Sequence, residues 1–319
     1  PRTIAGIPEK ESTAFLFMFL AFYFFLCSWK SNKHTPRITY SLLAGISTAM
    51  TALVWGGAIY IFLSLTILML AAFFTDQLNK EKIYPYAIWL FSSFAIMNLF
   101  SLRYNFKGLL FSTITGSSFF VLLIALVHLS IFNTKLKNYF DNKLSKVPRH
   151  FVSLLSTVIL AFIAVSLFFG FDYIAMIVKT TISQLTKPLA SDRFVVTVAE
   201  NRIPFFGEIA GSFGPNIGSI PIFFWLFFIG SIYLFVYLTK IFEKKERIIL
   251  SLIYIIFLSG IFFSRYSPSS RFNGDNFISN LFYFGGMLLL AIGFLFYYYK
   301  YYKTGTLEKL KNFDIGIVL

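Results

Sequence analysis

Nine stretches of this chain are apolar over the length that a lipid bilayer demands. They lie at roughly 13–29, 40–55, 57–74, 83–101, 108–132, 151–177, 219–239, 247–264 and 276–298. A bilayer core is about 30 Å thick, so a helix needs about 20 residues to cross it. In lipid every backbone N–H and C=O must be bonded within its own segment, so each run is expected to be a helix. The runs do not alternate polar and apolar residues, which argues against a β-barrel. The expected fold class is an all-α polytopic membrane protein with about nine transmembrane helices and one long external loop. Composition agrees. The 319 residues are 57% hydrophobic, 20% aromatic and only 13% charged, with a mean hydropathy of +0.73, more apolar surface than a soluble domain can bury.

The second and third runs form one stretch of 34 residues, Ser41 to Phe74, too long for a single crossing. Trp55-Gly56-Gly57 is the natural break and predicts a tight helical hairpin. One long tilted helix is the alternative, and it would reverse the sidedness of everything downstream. With the break in place, 18 of the 28 lysines and arginines fall on one face. Positive charge marks the cytoplasmic side. The expected location is therefore the cell membrane, multi-pass, with residues 1–12 and the long loop 179–218 both external. The net charge of +14 lies in short links between apolar runs. There it sets orientation, and no nucleic-acid partner is expected.

Cys27 is the single cysteine, so no disulfide can form within the chain. Residues 133–150 are read as a small amphipathic interfacial helix. The opening Pro1-Arg2-Thr3 and the apolar ending Ile315 to Leu319 lead to the expectation that 1–319 is the transmembrane region of something longer.

Two external stretches carry acids. Residues 1–12 read PRTIAGIPEKES, with Glu9 and Glu11 just before the first span. Acids there complement a helix dipole, and Ser12 could cap the helix. Two carboxylates one residue apart are also the start of a site for a hard cation such as Mg²⁺ or Mn²⁺. Residues 193–202 read RFVVTVAENR. Val195 to Val198 alternate like a short strand, Glu200 comes next, and Gly207, Gly211, Gly214 and Gly218 predict a loop tail able to rearrange. Glu200 would complete a three-acid site, with Glu9 or Glu11 within roughly 10 Å of it. His34, His128 and His150 show no metal-ligand spacing, and His128 is expected to be a packing residue. Asp172 could pair with Lys179 but is expected to snorkel. No phosphate loop, nucleophile elbow or zinc pattern occurs.

Taken together, RTIAG-IPEKES at the start and TVAEN in the long loop resemble the catalytic subunit of oligosaccharyltransferase, archaeal type. The Trp55-Gly56-Gly57 break looks like that family's fifth-to-sixth helix turn. The resemblance implies a type C glycosyltransferase-like bundle and an enzyme of N-glycosylation. Such an enzyme transfers a glycan from a lipid-linked donor, dolichyl phosphate or diphosphate, to the Asn side chain of N-x-S/T sequons. By resemblance, Glu9, Glu11 and Glu200 are catalytic and hold Mn²⁺ or Mg²⁺, and Arg271 or Arg265 binds the donor phosphate. The implied partners are a lipid-linked oligosaccharide, an acceptor protein or peptide, and membrane lipid.

The chain departs from the family pattern in several places. Glu9 stands where the family usually has Asp. The first acidic motif and the W-W-D-x-G motif are both absent, and Trp29, Trp55, Trp89 and Trp225 are isolated. The chain is accordingly expected to be inactive alone. Two other readings stay open: another polyprenyl-phosphate-sugar-dependent transferase, such as a protein O-mannosyltransferase, and a transporter of a lipid-linked substrate.

Overall fold

The computed structural model describes residues 10–134, 136–143, 147–186 and 204–304. Among them the regular structure is helical, with two isolated antiparallel bridges and no strands. Nine helices among the described residues are long and apolar enough to cross a membrane. The chain divides into two compact units, one running to Val178 and the other starting at Lys179.

The first unit holds α1 (Lys10–Lys30), α2 (His34–Val54), α3 (Ile59–Phe74), α4 (Lys80–Phe100), α5 (Phe106–Phe111), α6 (Thr113–Phe132), α7 (Leu136–Lys143), α8 (Arg149–Phe169) and the start of α9 (Phe171–Thr186). The long apolar stretch breaks where expected. Trp55 is extended (φ −148°, ψ 135°) and a 3-10 turn, Gly56–Ala58, leads into α3. The two helices do not then form the expected tight hairpin. α2 packs mainly on α1 and α4, whereas α3 packs mainly on α6. The reason lies in the residues. α2 buries a stripe of small groups, Ala44, Gly45, Ser47, Thr48, Ala49, Thr51 and Ala52, which lets the α4 backbone come close. A Cβ on Gly45 would lie 2.9 Å from the Trp89 carbonyl oxygen. α3 instead presents Ile61, Phe62, Leu65, Leu68 and Met69, which need a thicker interface.

Interhelical hydrogen bonds fix the register. The Trp89 indole donates to Thr48 Oγ1 at 2.9 Å, and the Tyr86 hydroxyl donates to the Ser118 carbonyl at 3.0 Å. Thr66 and Ser118 hydroxyls meet at 2.6 Å between α3 and α6. Such bonds average about 0.6 kcal/mol within a membrane, so their value is more in specifying register than in stability. Phe25, Phe62, Tyr86, Trp89 and Phe94 fill the centre.

Three other expectations are corrected. The run 151–177 is two helices, because α8 ends at Gly170, whose φ of 81° suits glycine and stops the helix. The run 108–132 divides as well. Ser112 is extended and caps α6 through the Thr115 N–H, leaving α5 as a separate turn. Ser12 sits inside the first turn of α1, not at its cap. The small helix expected within 133–150 is present as α7. None of the ion pairs among the described residues joins Asp172 to Lys179.

The second unit holds α10 (Phe206–Ser212), α11 (Ile222–Leu238), α12 (Lys244–Phe263) and α13 (Phe277–Lys303). α12 and α13 pack closely where side chains are missing. A Cβ on Gly260 would lie 2.7 Å from the Phe282 carbonyl oxygen, and one on Gly286 would lie 3.0 Å from Phe257 Cα. At the far end, buried Glu246 of α12 accepts from Lys300 Nζ at 2.5 Å and from the Tyr301 hydroxyl at 2.7 Å, both on α13. The same carboxylate caps its own helix through the Glu243 N–H. An aromatic cluster of Phe206, Phe213, Phe224, Phe228, Phe262 and Phe263 closes around Ala210 and Leu258 at the opposite end.

Candidate functional site

The residues singled out in the sequence fall in three places. Glu9 and Glu200 lie outside the described residues, as does the strand-like Val195 to Val198. Glu11 is described: it is in the first turn of α1 and only 8% exposed. A carboxylate held that far from water needs donors or a cation around it. The Phe15 ring meets Trp55 edge-on at 5.5 Å, so the start of α1 and the α2–α3 turn share one end of the first unit. That end also carries a cavity of about 270 Å³, lined by Gly56, Arg103, Tyr104, Asn105 and Thr115 among others. Tyr104 closes one side by donating its hydroxyl to the Ala52 carbonyl at 2.9 Å.

Arg265 and Arg271 belong to a pinned turn in the second unit. Arg265 bridges Asn273, and the Tyr266 N–H donates to the Phe272 carbonyl at 2.7 Å. Pro268 sets the bend between Ser267 and Ser270, whose N–H donates back to the Ser267 carbonyl at 3.2 Å. Asn276 caps α13 and holds the Arg271 carbonyl at 2.7 Å. Gly274 has φ 88°, and a Cβ there would come within 2.7 Å of Arg265 Cγ, so glycine is required on both counts.

The two arginines differ in setting. Arg271 is exposed. The guanidinium of Arg265 is largely buried, lies 4.8 Å above the Phe205 ring and reaches Asp275 only at 3.5 Å. Its Nε has no hydrogen-bond partner among the described residues. A guanidinium fork held in place suits phosphate oxygens through its outer N–H groups.

The stretch behind TVAEN is anchored to this turn. The Phe206 N–H donates to the Arg265 carbonyl at 2.9 Å, and the Phe206 ring stacks on Tyr266 at 5.5 Å. The glycine-rich tail is thus only partly a loop. Gly207 and Gly211 lie in α10, while Gly214 (φ 130°) and Gly218 (φ 65°) make the turns that lead into α11.

A third group of residues was missed by sequence reasoning. Asp76, His128 and His150 gather at the end of the first unit away from Trp55, with one ligand atom of each within 4.8 Å of the others. His128 and His150 have no metal-ligand spacing in the sequence, and the fold nonetheless brings both beside Asp76. Positions 76, 128 and 150 have no telling spacing because three helices bring them together. The available signal was depth: each stands at or near the same-side end of a predicted span.

These features together define a polytopic helical membrane protein. No family model matches the chain, and no curated protein sequence matches it.

Proposed function

We propose that this chain is the membrane-embedded catalytic part of an oligosaccharyltransferase-like enzyme with a type C glycosyltransferase-like bundle. It would move a glycan from a lipid-linked donor to the amide nitrogen of a sequon Asn on the external side. The observation that carries the reading is the anchoring of the TVAEN tail on Arg265. Glu200 precedes Phe205 by five residues. At about 3.5 Å per residue, that tether sets an upper limit of about 18 Å on the distance between Glu200 and Phe205.

In this reading Arg265, with Arg271 at the rim, takes the donor phosphate. Phe205 and the pinned turn hold the Arg265 fork in orientation before donor arrives, which reduces the ordering cost at binding. The new bond joins the amide nitrogen to the anomeric carbon. The carbon–oxygen bond to phosphate breaks, phosphate stays on the lipid, and the nitrogen gives up one proton. An amide nitrogen is a poor nucleophile because its lone pair is shared with the carbonyl. Glu200 would accept hydrogen bonds from the amide N–H groups and weaken that sharing. A divalent cation would supply charge stabilisation to the departing phosphate.

The test is glycan transfer to a fluorescent sequon peptide by the complete protein in native-lipid nanodiscs. Glu200→Gln should abolish turnover with the fold intact. Arg265→Ala should raise KM for the donor by about tenfold or more, with Arg265→Lys recovering only part, since a point charge replaces a fork. Undiminished transfer by Glu200→Gln would end the proposal.

A further inference from the structure

We infer that Asp76, His128 and His150 form a binding site for a divalent transition metal, separate from Glu11 at the Trp55 end. Each ligand comes from a different element. Asp76 comes just after α3, His128 lies near the end of α6, and His150 lies in the first turn of α8. α6 packs on both α3 and α8, so the three are held together by the fold.

The donor set defines the ion. Two imidazoles and one carboxylate suit first-row transition metals, and do not suit Mg²⁺ or Ca²⁺, which require oxygen ligands. Zn²⁺ holds such donors at about 2.0–2.2 Å, which places them about 3.4 Å apart in a tetrahedron. His150 Nε2 and Asp76 Oδ1 are already 3.7 Å apart. The full set lies within 4.8 Å. Three protein ligands leave a fourth position for water or an exogenous ligand.

The surroundings fit a ligand role. Ser153 Oγ donates to the Arg149 carbonyl at 3.1 Å. Its Oγ also lies 2.8 Å from His128 Nδ1. In the tautomer with the proton on Nδ1, the imidazole donates to Ser153 and the lone pair stands on Nε2, as an oriented metal ligand requires. The two imidazoles lie nearly parallel, at 9° and 5.2 Å. Phe73 stands edge-on to both, at 5.3 Å from His128 and 4.9 Å from His150, giving the site a dry wall. Asp76 is 46% exposed and provides the entry side.

Asp76 is also where the backbone gives ground. The Asp76 N–H bonds to the Phe73 carbonyl and the Gln77 N–H to the Ala72 carbonyl, the paired bonds of a Schellman end to α3. The residue in the left-handed position of that motif is usually glycine. Here it is aspartate at φ 56°. A side chain is retained at the one turn position that aims a carboxylate at the two imidazoles.

The site also supplies its own control. Asn tolerates the left-handed conformation as well as Asp does, so Asp76→Asn removes the charge without disturbing the turn. The untagged chain, stripped with chelator in detergent micelles, is titrated with Zn²⁺ and separately with Mg²⁺. Bound metal and thermal unfolding are both followed. One Zn²⁺ should bind per chain and raise the melting temperature, and Mg²⁺ should not. Asp76→Asn should weaken Zn²⁺ by about tenfold or more while its metal-free melting temperature stays at the parent value. Ser153→Ala should weaken Zn²⁺ by about tenfold through loss of the tautomer lock. Glu200→Gln should leave Zn²⁺ binding unchanged, which separates this site from the proposed glycan-transfer site. Absence of saturable Zn²⁺ binding, or binding that Asp76→Asn and His150→Gln both leave intact, would overturn the assignment. In that case the paired imidazoles are packing groups.

Discussion

Single residues in this protein do most where a side chain is missing or where a polar one is enclosed. Gly45 shows the first. Its missing Cβ is what brings α4 against α2, with the Trp89 carbonyl 2.9 Å from where that atom would be. Gly45→Val should cost about 1–3 kcal/mol through overpacking, read as a lower melting temperature in micelles. Gly230 in α11 has nothing within 4 Å of a built Cβ. Gly230→Ala should therefore be neutral or stabilise by up to about 1 kcal/mol. Equal destabilisation by both would remove close helix approach as the cause. Of the site residues, Glu11 and the arginines were visible in the sequence as charges at span ends. Nothing local marks Arg265 as the more enclosed of the two arginines. Its enclosure comes from Gly274 and Phe205 folding onto it.

At the scale of helices, the ends are where polar chemistry concentrates. α12 and α13 are tied at one end by Glu246 with Lys300 and Tyr301, and at the other by the pinned turn that carries Arg265. Lys300 is 47% exposed, so solvent screens its share of the ion pair. The Tyr301 hydrogen bond and the Glu243 cap are better shielded. Glu246→Ala should lower stability by about 1–3 kcal/mol, because the Tyr301 hydroxyl and the helix start both lose a partner. Lys300→Met should cost clearly less. The reverse order in thermal melts would show that the ion pair, not the cap and hydroxyl, holds these helices. The break of 151–177 at Gly170 belongs to this scale too. The apolar run continues through Phe171, so hydropathy alone cannot see that the helix has ended.

For the whole molecule, the nine apolar helices and the uneven lysine and arginine count predict opposite sides of the membrane for two described turns. By that count Asp76 lies on the lysine-rich face and Asn216 on the other. In a Cys27→Ser background, Asn216→Cys should react with a membrane-impermeant maleimide added outside sealed cells. Gln77→Cys should react only after the membrane is opened. Labelling of both from one side would invalidate the orientation and, with it, the external placement of the TVAEN loop.

The sequence by itself determined that the chain crosses a membrane as helices, how many apolar runs are long enough to do so, and where the long stretch breaks. Those properties come from bilayer thickness and from the need to satisfy the backbone inside lipid, both of which act on consecutive residues. Only the tertiary structure decided that α3 turns away from α2 to pack on α6, that the Phe206 N–H bonds to the Arg265 carbonyl, and that Asp76 meets His128 and His150. Each of these depends on which helix face meets which. That choice is made by small-residue stripes and by a few hydrogen bonds between segments far apart in the chain, and no window of neighbouring residues contains it.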